Sequence, residues 1–346
     1  MPVYSGLRNA LSFVERLDNP GLLLDKWCPA LGDRKDADNE RYRKWLRDAQ
    51  ASVPAGYERA FARRTQALLG SGSCSGGLVV SAEARVQGRM IVGIGAASVW
   101  ENNVALLRPW GVPYIPGSSL KGLAAATAHH DGEDARWRRG AVGRAGEPSG
   151  EWHRALFGDN DKAGSVTFHD AWWKPEGKKV PLELDTITVH HPDYYAGKRP
   201  PSDADSPNPV AFLSAHGTYL VILSGPAEDV EIAMQILKHG LHEHGIGAKT
   251  NAGYGRLSLD YLSPDERAER ERQQARERSE ELRRRVEDVK ANNAADRVPE
   301  LLGKADASDV QPLAQAIVDR LGKKWLRERR DKAWVVRLLE AAGVEL

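Results

Sequence analysis

Cysteine is almost missing from this chain. Cys28 and Cys74 are the only two in 346 residues, too few for a disulfide framework or a four-thiolate metal site, so a reducing cytoplasm is the expected compartment. No apolar run is long enough to cross a bilayer, and no membrane partner is expected. The opening MPVYSGLRNALSFVERL carries acid and lacks the apolar core of a signal peptide. An excess of charge of one sign is missing too. The formal net charge is +1, with 49 Lys+Arg against 48 Asp+Glu. A free-standing nucleic-acid binder usually carries a large basic excess. Any such site here must be a local patch, one that partner subunits can complete.

The chain is long enough for one large or two smaller domains, and its 41% hydrophobic and 28% charged residues are ordinary for a globular protein. Tyr42, Trp45 and Leu46 in NERYRKWLRDAQ have helical spacing and predict one buried helix face. GSGSCSGG, Gly70 to Gly77, reads as a flexible break, and LVVSAEARVQGRMIVGIG after it as strands. PGSSLKGLAAATAHH predicts a helix capped by Ser118 or Ser119. GSVTFHDAWW and GTYLVILSG read as strands, and AEDVEIAMQILKHGLHEH as an amphipathic helix with acids in its first turn. A Pro/Asp/Ser-rich stretch near 190–208 is long for a loop in a compact domain.

The order strand, helix, strand, strand, helix, strand predicts an α+β fold, a ferredoxin-like antiparallel sheet backed by helices and carrying insertions. It spans 1–262. From Ser263 the composition changes. DERAERERQQARERSEELRRRVEDVK holds nine acids and nine bases and predicts a solvated helix laced with i,i+4 pairs. Leu313, Ile317, Leu321, Trp325, Trp334 and Leu338 then restore an apolar period. Residues 263–346 thus form a mostly helical C-terminal extension.

HGIGAKTNAGYGRL, His244 to Leu257, has the look of a phosphate loop. It fails the Walker spacing: counting back from Lys249, the required glycines fall at Glu243 and Ala248. The context is reversed as well, because a helix precedes and a strand follows. Two readings stay open on the residues alone. The glycines can form a helix C-cap and a strand start, or successive backbone N–H groups can form an anion nest to which Lys249 adds charge. His239, His242 and His244 lack cysteine companions and straddle a helix end, which argues against zinc. No metal and no cofactor is expected.

Taken in order, YIPGSSLKGLAAATA, LFGDNDKAGSVTFHDAWW, DTITVHHPDYYAG with PNPVAFL, and GIGAKTNAGYGRL resemble the RAMP proteins of CRISPR systems. The last two together are similar to the sixth RAMP subunit of the Cmr (type III-B) effector complex. NPGLLLDKW fits as well. The resemblance spans roughly 7–262 and leaves the tail uninterpreted. It implies a Cas7-like, RRM-derived backbone subunit that holds guide RNA and its RNA target, without catalysis. The implied partners are neighbouring RAMP backbone subunits and a small helical subunit. The implied RNA-facing residues are Ser118, Ser119 and Lys121 at the helix start, and Lys249, Thr250, Asn251, Tyr254 and Arg256 in the glycine loop. The resemblance also implies a thumb-like insertion whose His190, His191 and Tyr194 face RNA. A metal-independent RAMP endoribonuclease that processes guide precursors, using His190-His191 as base, is the alternative. A different RAMP backbone subunit of the same complex is another.

Overall fold

Strand β1 (Leu78–Val86) shows why a sheet forms. Ala82, Ala84 and Val86 are buried while Ser81 and Arg85 are exposed, the two-residue period of a half-buried strand. The computed structural model describes residues 19–26, 36–50, 53–75, 77–96, 102–140, 149–189, 192–203, 205, 208–305 and 309–344. The chain divides into two units, Met1–Tyr261 and Leu262–Leu346.

In the first unit, β1 lies between β8 (Thr218–Gly225) and β9 (Leu257–Asp260), antiparallel to both. The path through the sheet is β2 (Leu106–Leu107), β3 (Val112–Ile115), β5 (Ala171–Trp173), β8, β1, β9. β4 (Thr167–Phe168) also pairs with β8. The single strand expected over GSVTFHDAWW is therefore broken at His169-Asp170, although both pieces keep their register on β8. Tyr219, Val221, Ile222 and Leu223 of β8 are fully buried. Such side chains stabilise by about 1.5–3 kcal/mol each, which explains why this strand anchors the sheet.

Helices α4 (Gly117–Asp131) and α7 (Ala227–Glu243) pack against each other. Val230, Ala233, Met234, Leu237 and Leu241 give α7 an apolar stripe with no exposure. The N-terminal helices are α1 (Pro20–Lys26), α2 (Asp36–Gln50) and α3 (Tyr57–Ser75). Trp45, Leu46 and Ala49 of α2 are buried, with Tyr42 half-buried. Helix α3 runs to Ser75, through the glycine-serine stretch expected to break it. Extending a formed helix costs little per residue once it is nucleated, so the small residues weaken this last turn without ending it. A short helix α5 (Glu151–Phe157) precedes β4.

The Pro/Asp/Ser-rich stretch joins the two strands of a hairpin. β6 (Leu182–Val189) and β7 (Asn208–Ala215) pair antiparallel from Leu182↔Ala215 to Val189↔Asn208. The loop carries a one-turn helix, α6 (Pro192–Tyr195). Arg199 pairs with Asp193 and Asp205 across the tip. Helix α2 packs on the hairpin, and its Gln50 Oε1 accepts the Leu184 N–H at 3.3 Å.

The second unit holds α8 (Pro264–Arg285), α9 (Ala294–Gly303), α10 (Val310–Leu321), α11 (Lys323–Arg327) and α12 (Ala333–Ala342). Ser263 and Glu266 form a reciprocal capping box that starts α8. Leu313, Ile317, Leu326 and Leu338 are fully buried in a core belonging to this unit. The charged helix is less self-contained than its pattern predicts, since Arg278 and Arg285 reach Asp309 at the start of α10.

Candidate nucleic-acid interface

The glycine loop leaves α7 at its C-cap, His244, and returns as β9. Gly245, Gly247, Gly253 and Gly255 all have positive φ. Three of them are also pressed by backbone. A Cβ on Gly247 would stand 2.2 Å from the Ile91 carbonyl oxygen, and one on Gly255 2.0 Å from that of Ile246. At Gly245 the nearest atom would be the Gly255 oxygen, at 2.8 Å. Gly253 meets nothing within 4 Å. Most of the glycines therefore serve packing and turn geometry, the first of the two readings open on sequence.

The second reading has its own support at the loop centre. Lys249 has φ 56° and ψ 37°, the only non-glycine positive φ among the described residues. A 3-10 turn, Thr250–Ala252, follows it. Among the described residues nothing accepts the N–H groups of Lys249, Thr250 or Asn251, whereas those of Ala248, Ala252, Gly253, Tyr254 and Gly255 are bonded. A left-handed residue followed by helical ones points consecutive N–H groups toward one concavity, which suits an anion. Lys249 and Asn251 are exposed and Thr250 half-buried. No acid among the described residues pairs with Lys249.

Tyr254 and Arg256 turn inward. The Tyr254 hydroxyl donates to Asp185 Oδ2 on β6 at 2.9 Å, and its ring lies 6.3 Å from that of Phe212 on β7. Arg256 Nη1 donates to the His242 carbonyl at 2.8 Å. Beside them Arg89 bridges Glu183 at 2.8 Å and Ser214 Oγ at 3.1 Å. Tyr254 thus clamps the loop to the hairpin. Its hydroxyl pKa is raised, first by burial and then by the bond to Asp185.

At the other predicted site, neither Ser118 nor Ser119 caps α4. Pro116 holds the N-cap position, and the free N–H of Gly117 is taken by Asp170 Oδ1 at 2.8 Å. The kink between β4 and β5 places that carboxylate there, because a Cβ on Gly117 would lie 2.1 Å from the Phe168 carbonyl oxygen. Arg64 donates to the Asp170 carbonyl at 2.6 Å and stacks on Trp172. Ser118 is exposed, Ser119 and Lys121 are half-buried, and Lys121 has no acidic partner among the described residues.

Backbone hydrogen bonds connect the two regions in sequence: Ala248 to Ile91, Ala105 to Val92, and Tyr114 to Ala105. Strand β3 then leads into α4. Of the insertion residues, Tyr194 is 51% exposed on α6, and His190 and His191 lie outside the described residues. Sequence reasoning did not identify Gly117 as the partner of Asp170, nor Asp185 as the anchor of Tyr254. Both acids come from distant segments, and no local pattern could have paired them with Gly117 or Tyr254.

The RAMP superfamily profile matches residues 70–258. Among curated proteins the chain is similar to the CRISPR system Cmr subunit Cmr6 of Pyrococcus furiosus. They are 31% identical over 233 residues, 53% of this chain and 68% of that protein. Among solved structures it resembles a chain in the cryo-EM structure of the type III-B Cmr-beta bound to cognate target RNA. That match has a TM-score of 0.51 at 21% identity and covers 75% of this chain and 87% of the other. The crystal structure of Cmr6 from Pyrococcus furiosus matches at 29% identity over 53% of this chain and 98% of that one. Its TM-score of 0.33 makes that superposition too loose to argue from. On the profile match over more than half its length and the similarity to Cmr6, the chain belongs to the RAMP superfamily.

Proposed function

We propose that this protein is a non-catalytic backbone subunit of a type III-B Cmr effector complex. It holds guide RNA, and the guide–target duplex, for RNA-guided interference. The observation that carries the assignment is the 31% identity to Cmr6 across 68% of that protein. The frame β1, α4, β5, β8, α7, β9, with spatial order β9-β1-β8-β5, fits the ferredoxin-like, RRM-derived core of such subunits.

Within that function, Lys249 with the N–H groups of Thr250 and Asn251 receives one phosphate, and Lys121 with Ser118 and Ser119 a second. Asp170 narrows the role of the second group. A carboxylate already occupies the N-terminus of α4, so the helix end is not an open anion site, and the contact there is made by side chains. Tyr254 and Arg256 support the loop and reach RNA only through it. Tyr194, exposed in the hairpin loop, stacks on a base in this reading. Contacts of this kind position RNA and read little sequence.

The test is copurification from the protein's own host. A tagged chain is expected to bring down guide RNA and the other Cmr subunits, and Lys121→Ala is expected to reduce the RNA recovered. A chain that purifies alone, without RNA, refutes the assignment. A second arm incubates the purified chain with labelled repeat RNA in EDTA. Intact RNA is expected. Cleavage at a defined site, abolished by His191→Ala, would make it the endoribonuclease instead.

A further inference from the structure

His239 and His244 come together with a residue that the sequence does not associate with them. Asp131 is the last residue of α4, His239 sits just before the last turn of α7, and His244 is its C-cap. The helices touch closely, since a Cβ on Gly240 would stand 2.4 Å from Thr127 Oγ1. Their C-terminal ends meet as a result. The Nε2 atoms of His239 and His244 lie 3.1 and 2.6 Å from the same oxygen, Asp131 Oδ2. One donor atom from each of the three lies within 4.8 Å of the others.

We propose that Asp131, His239 and His244 form a surface site for a divalent transition-metal ion of the zinc class, with a fourth position left for water or a partner's donor. Donors about 2.0–2.1 Å from a tetrahedral ion are about 3.3 Å apart. The 3.1 Å separation is already close to this, and the 2.6 Å one needs a small opening. The side chains are 32%, 53% and 44% exposed for Asp131, His239 and His244, so an ion reaches them without unfolding.

A second observation favours a cation at this point. Both helices end here, and the carbonyl ends of two helix dipoles carry partial negative charge. The nearby charges are Glu243, which pairs with His242, and Arg256, which is tied to the His242 carbonyl. Two imidazoles disfavour magnesium and calcium, which take oxygen ligands, and the lack of thiolate disfavours copper(I). In sequence, the lack of cysteine and the helix end between the histidines argue against zinc. The helix end is in fact what lets residues five apart converge, and the third ligand is an aspartate from α4. His244 is also the last residue before the glycine loop, so a bound ion would staple the base of that loop to α4.

The site stands whether or not the chain binds RNA. The test takes the full chain, freed of metal with a chelator, and titrates it with Co²⁺. A visible d–d band saturating at one ion per chain is expected, and Zn²⁺ should displace it. His239→Ala, His244→Ala and Asp131→Asn should each weaken binding by about tenfold or more. His242→Ala, whose ring pairs outside the cluster, should not. Amide exchange at 244–249 should slow with Zn²⁺ in the parent and not in Asp131→Asn, which keeps the side chain's shape. No saturable band at millimolar Co²⁺ overturns the proposal, as does equal affinity in Asp131→Asn and His242→Ala.

Discussion

Lys249 holds a conformation that only glycine adopts freely, and that separates its contribution to stability from its contribution to binding. At φ 56° and ψ 37°, a side chain with a Cβ costs about 1–2 kcal/mol relative to the right-handed region. Glycine removes that cost but returns about 0.4–1 kcal/mol of unfolded-state entropy. Lys249→Gly should therefore raise stability by about 0.5–1 kcal/mol. Lys249→Ala keeps the Cβ and should leave stability near that of the parent, because the lysine is exposed and has no ion-pair partner among the described residues. Both variants remove the charge. If Lys249 meets a phosphate, both should weaken RNA binding by about tenfold at low salt, the worth of a hydrogen bond to a charged group. Both should also lower the slope of log K against log salt by about 0.7 for a single strand.

The assays are urea unfolding of the purified chain and RNA titration of the assembled complex at several salt concentrations. The two variants should separate in stability and coincide in affinity. If Lys249→Gly is no more stable than Lys249→Ala, the left-handed strain has been misjudged. If affinity and salt slope both stay at the parent values, Lys249 does not touch phosphate and the nest is only a turn. Strain retained at one exposed lysine, at a position where glycine would relieve it, is what a functional constraint looks like in a backbone.

Two further outcomes test the frame around this loop. Gly247→Ala meets the Ile91 oxygen at 2.2 Å with φ 93°, whereas Gly253→Ala at φ 89° meets open space. The first should cost about 2–3 kcal/mol in urea unfolding and the second about 1 kcal/mol, and equal losses would contradict the tight approach at Ile91. His153 is 3% exposed against the Phe157 ring, and burial pushes its pKa down. The unfolded chain then binds a proton near pH 6.5 that the folded one refuses. Stability is full above that value and falls as pH drops toward the folded pKa, by up to about 1.4 kcal/mol per pH unit. His153→Phe should flatten that fall in denaturant titrations between pH 5 and 8, and parallel curves for the two chains would refute it.

The parts of the fold that the sequence announces are those whose cause is local. The stripe of α7 and the alternation of β1 each depend on neighbours within one or two turns, so periodicity reveals them. The break inside GSVTFHDAWW was hidden because its cause is remote. Asp170 is turned out of the strand to take the N–H of Gly117, 53 positions away, and that bond replaced the serine cap that local rules predict. The glycine loop divides along the same line. Its turn geometry was legible in its glycines, but the clamp that sets its direction, Tyr254 on Asp185, joins segments 69 positions apart. The same holds for His239 and His244, whose spacing meant little until α4 brought Asp131 between them. A residue type at a spacing shows which chemistry is available, and the tertiary partner decides which use it has. For the residues proposed to face RNA, that partner would be a second molecule. Lys121 and Lys249, each without an acid among the described residues, therefore stay the sharpest points at which to test the interface, while Tyr254 and Arg256, already engaged inside the chain, are where a mutation would be misread as lost contact when it had only loosened the loop.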